Sequence, residues 1–216
     1  YEILTSVSEG GIRELQHIEK IGRVCYKSED YITEDGESAK KFVAMLIRNG
    51  HEAMIEHSFL SVKFTVDRGV SHELVRHRIA SFAQESTRYC NYAKDKFGAE
   101  CAFIDLEPGI MLDNKMKKMS AEEIALVLAE WKSAMEDAER HYMKLLELGA
   151  TPQIARAVLP NSTKTEITVS ANYREWRNFF KLRVPADVHP QMREVTIPLL
   201  KELKGMIPVI FDDIEV

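Results

Sequence analysis

Two short stretches of alternating apolar and polar residues constrain the fold more than any other feature of this chain. Between Leu60 and Val66 the apolar residues fall at every second position, and the alternation returns between Thr163 and Ala171. A period of two is typical of a half-buried strand, whereas several other segments repeat at helical spacing. Few strands and several helices in mixed order predict an α/β or α+β domain with a small sheet.

The helical segments are marked by their apolar spacing and by their caps. Ser120 and Glu123 form a capping box that opens a long helix with one apolar stripe, which Gly149 closes. Ser71 can cap a short helix that ends near His77, after which the chain extends. We expect further helices over residues 12–24, 38–47, 151–159, 172–182 and 191–206, and we expect Pro198 to kink the last of these.

Length and composition indicate a soluble globular protein. A chain of 216 residues is most simply one domain, 1–216, and it buries enough surface to fold without disulfides or metal. The net charge of −5 argues against a nucleic-acid binder, whose affinity comes from neutralising phosphates. Cys25, Cys90 and Cys101 have no CxxC spacing, no apolar run approaches a membrane span, and no signal peptide opens the chain. We therefore expect a cytoplasmic protein with no membrane segment.

Side chains suited to ligand binding are most concentrated in the thirteen residues R-H-R-I-A-S-F-A-Q-E-S-T-R, from Arg76 to Arg88. Arginine forks bind phosphates and planar polar rings, because their donors are fixed in a plane and keep their charge. A solvated basic face is the simpler interpretation of such a run. This run, however, has no lysine and is interleaved with hydroxyl and amide side chains, which favours a site for a phosphorylated, heteroaromatic ligand.

The spacing of this run, R-H-R followed by seven residues, Ser, one residue and Arg, resembles the signature of the flavin-dependent thymidylate synthases. That family methylates dUMP, with methylenetetrahydrofolate as carbon donor and with FAD, reduced by NADPH, as hydride donor. The resemblance implies a small, mainly antiparallel sheet flanked by helices, with a long helix near 120–148. It also implies a homotetramer with active sites between subunits, and no metal.

Other segments extend the resemblance through most of the chain. H-E-A-M-I-E-H at 51–57 is similar to a family segment that approaches FAD, with Ala53 where a hydroxyl residue is usual. Without the family, His51 and His57 would be read as core-edge histidines satisfied by neighbouring glutamates. I-A-R-A-V-L-P at 154–160 and N-Y-R at 172–174, with Asn178 beyond it, resemble the dUMP-binding and FAD-binding segments. His189 follows about two residues later than the family spacing.

The resemblance also implies the site residues. For FAD they are His51, Ala53, Arg76, His77, Arg78, Gln84, Asn172, Arg174 and Asn178. For dUMP they are Glu73, Arg76, Gln84, Glu85, Ser86, Thr87, Arg88, Arg156 and Arg183, with the backbone amides of Glu85 and Thr87 as phosphate donors. Arg183 is the expected catalytic residue, because a permanent charge near uracil N3 and O2 stabilises the anion that activates C5. No cysteine nucleophile is required.

Two alternatives come from other classes of protein. A metal-dependent phosphohydrolase would use His51, His57, His72 and His77, although no H-E-x-x-H or His-Asp pair occurs. An RNA-binding module would stack bases on Phe82 and Tyr89 beside the arginines. A flavin absorbance band in the purified protein would exclude both.

Overall fold

The sheet has four antiparallel strands. The computed structural model describes residues 1–89, 92 and 100–216, so Cys90 lies outside the described residues. The strands are β1 (Glu2–Ile3), β2 (Phe59–Asp67), β3 (Ala80–Gln84) and β4 (Lys164–Asn172), in the order β1-β2-β4-β3. Glu2 of β1 lies opposite Lys63 of β2. The small antiparallel sheet expected from the alternating stretches and the family resemblance is confirmed.

The helices follow the periodic segments closely. Ser120 caps the long helix through the capping box read from the sequence, with both reciprocal bonds formed. In chain order the helices are α1 (Ile12–Arg23), α2 (Glu37–Arg48), α3 (Arg68–Leu74), α4 (Glu107–Leu112), α5 (Ala121–Glu147), α6 (Pro152–Ala155), α7 (Tyr173–Arg183), α8 (Pro190–Met206) and α9 (Pro208–Phe211). None of the helices in the described part of the chain is long and apolar enough to cross a membrane.

Two local features differ from the sequence prediction. Ser71 does not cap α3, because the side chain of Asp67 accepts the amide of Val70 at 2.6 Å and caps the helix four residues earlier. Ser71 lies inside the helix and is buried. The segment after Arg78, expected to be an extended loop, forms strand β3 instead.

Contacts among the described residues group them into two compact units. The first unit comprises Tyr1–Lys63, His77–Phe82 and Thr168–Val216, and the second comprises Phe64–Arg76 and Ala83–Ile167. Strands β2, β3 and β4 are each divided between the two. A single domain over 1–216 therefore stays a prediction.

The first unit is built on aromatic packing. Trp176 stacks on Phe180 with centroids 5.9 Å apart, and Phe180 meets Phe211 edge-on at 5.8 Å. The indole N–H of Trp176 donates to the carbonyl of Leu60, so burying the ring leaves no donor unsatisfied. Helices α1 and α2 pack against each other through their apolar faces. This core fixes α7, which carries most of the polar residues discussed below.

The second unit has a smaller core around α5. Tyr142 packs with Tyr92, Cys101 and Ala155, and Phe103 and neighbouring residues cover this cluster. Tyr142 is the only buried residue in α5, whose residues are all described. Most of the apolar stripe of this helix is therefore only partly covered within one chain.

Gly11 occupies a position that no other residue fits. Its φ of +68° is in the left-handed region, and it forms the N-cap of α1. A Cβ built there would lie 2.5 Å from a methyl carbon of Ile207, which is fully buried. Both the backbone conformation and the close approach therefore require glycine.

Gly11→Ala should lower the free energy of unfolding more than Gly50→Ala. Gly50 has a φ of +72° and nothing within 4 Å of its Cβ position. Gly50→Ala therefore measures only the cost of placing alanine in a left-handed backbone conformation, about 1–2 kcal/mol. Gly11→Ala adds overpacking against Ile207, about 1–3 kcal/mol more. Urea unfolding of both variants and wild type measures the difference. Equal losses would show that Ile207 shifts without cost.

Candidate functional site

Helix α7 opens beside a recess in the first unit. Asn172 caps the helix, with its side-chain oxygen accepting the amide of Glu175 at 2.8 Å. The recess has a volume of about 470 Å³. It is lined by Glu52, Glu56, Ile79, Asn172, Arg174, Glu175, Asn178 and Lys181. The three polar residues of the 172–178 segment that the sequence singled out therefore line one cavity.

Positive and negative groups alternate around this first recess. Arg174 forms an ion pair with Glu56, and both side chains are substantially exposed. Asn178 donates to both carboxylate oxygens of Glu175, at 3.4 and 3.3 Å. Lys181 adds a second cation to the lining. The donor set comprises two cations and two amides.

Arg177 holds the segment Glu52–His57, a short 3-10 helix, against the end of the chain. Its guanidinium is 1% exposed and makes a bidentate pair with Asp213, at 2.6 and 2.8 Å. It also donates to Glu52 at 3.2 Å and to the carbonyl of Ile210. Burial alone would lower the pKa of Arg177, but the bonds and charges of Asp213 and Glu52 raise it. The charge is therefore retained.

His77 is buried in the first unit and bonded at both ring nitrogens. Its Nδ1 lies 3.1 Å from a carboxylate oxygen of Glu175, and the Nε–H of Arg183 donates to its Nε2 at 3.0 Å. The ring meets Phe179 edge-on at 4.9 Å. Burial and the charge of Arg183 lower the pKa of His77, against the opposing effect of Glu175. The lowered pKa favours the neutral form of the ring.

A second recess, of about 430 Å³, lies in the second unit. Arg156 reaches into it and donates to the hydroxyl of Thr87 at 3.0 Å. The lining residues are Arg68, His72, Thr87, Gln153, Arg156, Ala157, Leu159, Pro160 and Asn161. With two arginines and no carboxylate among those residues, the second recess suits an anion.

The residues just before Thr87 are held by strand pairing and side-chain bonds. Gln84 donates to Ser71 at 2.9 Å and to Thr165 at 3.3 Å. The Glu85 amide, expected to donate to phosphate, donates instead to the carbonyl of Glu166 at 2.8 Å. Because this amide is already bonded to the backbone of the neighbouring strand, any contribution of Glu85 to ligand binding must come from another of its atoms.

The remaining predicted residues are mostly at the surface. Arg76, Arg78 and Arg88 are exposed, and the guanidinium of Arg88 lies over the Tyr89 ring at 5.4 Å. Exposure alone does not distinguish a ligand site from a solvated basic face. His51 and Ala53 are also exposed, at the start of the Glu52–His57 helix, whereas Glu73, Ser86 and His189 are half-buried. His189 is the N-cap residue of α8.

Sequence reasoning missed several residues of both recesses. The pattern Asn172-x-x-Glu175 matches a helix cap followed by an acidic residue and could have identified Glu175. Lys181 and Arg68 have no comparable local signal. The histidines of the metal-site alternative form no cluster, since the described residues contain no group of three or more His, Cys, Asp or Glu suited to a metal ion.

Asp213→Asn should remove part of the acid sensitivity of the protein. Arg177 lowers the pKa of Asp213, chiefly through their hydrogen bonds. The stabilisation that the ionised Asp213 gives to the folded protein is therefore complete above the ordinary carboxyl pKa of about 3.9. It is lost as the pH falls through the lower pKa that Asp213 has in the folded state. The difference in unfolding free energy between wild type and Asp213→Asn should be largest near neutrality and shrink below about pH 4.

Urea unfolding across this pH range measures the effect. Asp212→Asn is the matched control, because it removes the neighbouring charge and no bond between that side chain and Arg177 occurs among the described residues. A pH-independent difference, or the same profile for both variants, would contradict the assigned pair.

Comparison with known proteins places the chain in a family. Residues 12–209 match the family model described as thymidylate synthase complementing protein. A flavin-dependent thymidylate synthase from Corynebacterium aurimucosum is 34% identical over 215 residues, covering 97% of this chain and 84% of the relative. Flavin-dependent thymidylate synthases from Mycobacterium bovis and Mycobacterium sp. (strain JLS) are 29% and 30% identical, each over 92% of this chain and 79% of the relative. The chain therefore belongs to the thymidylate synthase complementing protein family.

Proposed function

We propose that this protein is a flavin-dependent thymidylate synthase that converts dUMP to dTMP. It uses methylenetetrahydrofolate as carbon donor, and FAD reduced by NADPH as hydride donor. The proposal follows from the family and from the names of its relatives. The structural observation that carries it is that Asn172, Arg174 and Asn178 line one recess with Lys181. Residues matching the family's FAD segment are thus gathered at one place.

The chemistry of the first recess fits a flavin dinucleotide. Arg174 and Lys181 supply the charge that a diphosphate needs, and the amides of Asn172 and Asn178 suit ring or ribose edges. The other proposed FAD contacts rest on the resemblance alone, and they are His51, Ala53, Arg76, His77, Arg78 and Gln84. When bound, FAD supplies the hydride that completes the methyl group.

The chemistry of the second recess fits the phosphate of dUMP. Arg156 and Arg68 provide two cations, and Thr87 holds Arg156 in place through its hydroxyl. We propose that Arg156 binds this phosphate, together with Ser86, Arg88 and the backbone amide of Thr87. Glu73, Gln84, Glu85 and Arg76 remain proposed nucleotide contacts from the family motif.

Arg183 is the proposed catalytic residue. Uracil C5 becomes nucleophilic only when negative charge builds on the ring, and a guanidinium near N3 and O2 favours that charge. A thiol nucleophile is not needed. Burial raises the pKa of Cys101 to about 12, so that thiol stays protonated near neutral pH.

We further propose a homotetramer with active sites completed by neighbouring subunits. The half-covered apolar stripe of α5 supports association, because it leaves apolar surface that a partner can bury. The function is tested on the purified protein by three measurements: a visible flavin spectrum, mass by light scattering, and dTMP formation from dUMP. A colourless protein that makes no dTMP when FAD is supplied would overturn the proposal.

Arg183→Ala should lower dTMP turnover by about 10²–10³-fold while FAD remains bound and reducible by NADPH. Arg183→Lys should recover little, because a point charge cannot reproduce the planar fork. Arg140→Ala, at the exposed face of α5, controls for loss of a positive charge. Turnover and flavin content are measured for each variant. Near-normal turnover in Arg183→Ala would move the activating role elsewhere, with Arg76 the next candidate.

Arg156→Ala should chiefly weaken dUMP binding, because a phosphate contact is made equally in the ground and transition states. Loss of a charge-assisted bond, about 1.5–3 kcal/mol, corresponds to roughly a 10- to 150-fold weaker affinity. Thr87→Val should weaken binding less, since it removes only the hydroxyl that holds Arg156. Titration with dUMP measures both, and flavin reduction by NADPH should survive. Unchanged dUMP affinity in Arg156→Ala would show that the phosphate binds elsewhere.

A further inference from the structure

Glu52 uses only one of its two carboxylate oxygens for bonds within the part of the chain that the structure describes. Its Oε1 accepts from the Nε and from one Nη of Arg177, at 3.3 and 3.2 Å. Its Oε2 has no hydrogen-bond partner among the described residues, and it is not one of their buried unpartnered side-chain atoms. Glu52 also lines the first recess, and its side chain is 19% exposed. One oxygen is therefore available to a ligand there.

The position of the Glu52 carboxylate is fixed more firmly than that of Glu56 in the same lining. Glu56 pairs with Arg174, but these two side chains are 41% and 52% exposed, so the pair contributes little rigidity. The partner of Glu52 is the guanidinium of Arg177, which is 1% exposed and is itself bonded to Asp213. An acceptor held in this way loses little conformational freedom when a ligand binds it.

A carboxylate in the first recess indicates a ligand with hydrogen-bond donors. Carboxylate oxygens accept hydrogen bonds and repel phosphates, whereas Arg174 and Lys181 in the same lining attract phosphates. The ligand that suits both kinds of group carries hydroxyls as well as phosphate. FAD has hydroxyls on its ribityl chain and on its ribose, and carboxylates bind ribose hydroxyls in other dinucleotide sites.

We propose that Glu52 is a further FAD-binding residue, whose Oε2 accepts a hydrogen bond from a hydroxyl of the ribityl chain or of the ribose. This inference rests on the proposed function, in which FAD occupies the first recess. An ion pair with Arg177 alone explains Oε1 but not the second oxygen at the recess. Glu52 thus has two roles, one for each oxygen.

Glu52→Gln should weaken FAD binding about tenfold, because a charge-assisted acceptor is lost. Arg177 offers only donors, so the amide oxygen of glutamine takes the place of Oε1 and its NH₂ group takes the place of Oε2. Removing a negative charge near a diphosphate would by itself tighten binding, so the two effects have opposite signs. Titration of flavin-free protein with FAD measures the dissociation constant. An unchanged or lower value would overturn the proposal.

Two further variants separate contact with FAD from support of the fold. Asp213→Asn weakens the hold on Arg177 but keeps the Glu52 carboxylate, so it should lower the free energy of unfolding and affect FAD binding much less than Glu52→Gln does. Glu37→Gln removes a carboxylate that pairs with Lys40 on α2, and it should bind FAD as wild type does. Equal losses of FAD affinity in Asp213→Asn and Glu52→Gln would show that Glu52 acts only through Arg177, and would overturn the contact.

FAD analogues that each lack one hydroxyl test the same bond from the side of the ligand. In wild type, the analogue without the bonded hydroxyl should bind about tenfold more weakly than FAD. In Glu52→Gln the same analogue should show little further loss, since the bond is already absent. The analogue affected shows whether the hydroxyl belongs to the ribityl chain or to the ribose. Wild type that binds every analogue as tightly as FAD would contradict the proposal even if Glu52→Gln fails to fold.

FAD binding and dTMP formation from dUMP are measured separately on wild type. If wild type binds FAD and forms dTMP while Glu52→Gln binds FAD normally, the role of Glu52 fails and the proposed function stands. If FAD binding depends on Glu52 but no dTMP forms, the role of Glu52 stands and the proposed function fails. Wild type that binds no FAD would overturn both.

Discussion

The burial of two opposite charges on helix α7 is the constraint on which the first recess depends. Glu175 and Arg177 are 7% and 1% exposed, and taking an ion out of water costs several kcal/mol unless partners meet it. The partners from outside the helix are His77, which is hydrogen-bonded to Glu175, and Glu52 and Asp213, which form ion pairs with Arg177. Providing these partners fixes where the neighbouring segments lie, and with them the walls of the recess.

The parts of the fold with local causes could be predicted from the sequence. The alternation in β2 and β4 and the capping box at Ser120 each depend on residues close together in the chain. Strand β3 was missed because A-S-F-A-Q has neither alternation nor β-branched residues, and it forms by pairing with a distant strand. The cap of α3 was misplaced because Asp67 and Ser71 are both suitable caps, and β2 runs on to Asp67 before the helix begins.

The candidate site was predicted by resemblance far more than by residue chemistry. Asn172, Arg174 and Asn178 were named together and line one recess. The contact between Glu175 and His77 was not predicted, because the two residues are 98 positions apart and their pairing leaves no local pattern in the sequence. The pairing of Arg174 with Glu56 has a consequence for binding. A ligand phosphate that binds this arginine competes with a carboxylate, so part of the attraction is already balanced before the ligand arrives.

The contacts of Arg177 also bear on when the protein can fold during its synthesis. Arg177 is bonded to Glu52, which lies 125 positions before it in the chain, and to Asp213, which lies 36 positions after it. A nascent chain that has emerged only as far as α7 has Glu52 available but not Asp213 or the Ile210 carbonyl. Burying the guanidinium at that stage leaves most of its donors without partners, at a cost that exceeds the gain. The packing of α7 into the first unit must therefore wait until the chain has emerged from the ribosome as far as Asp213.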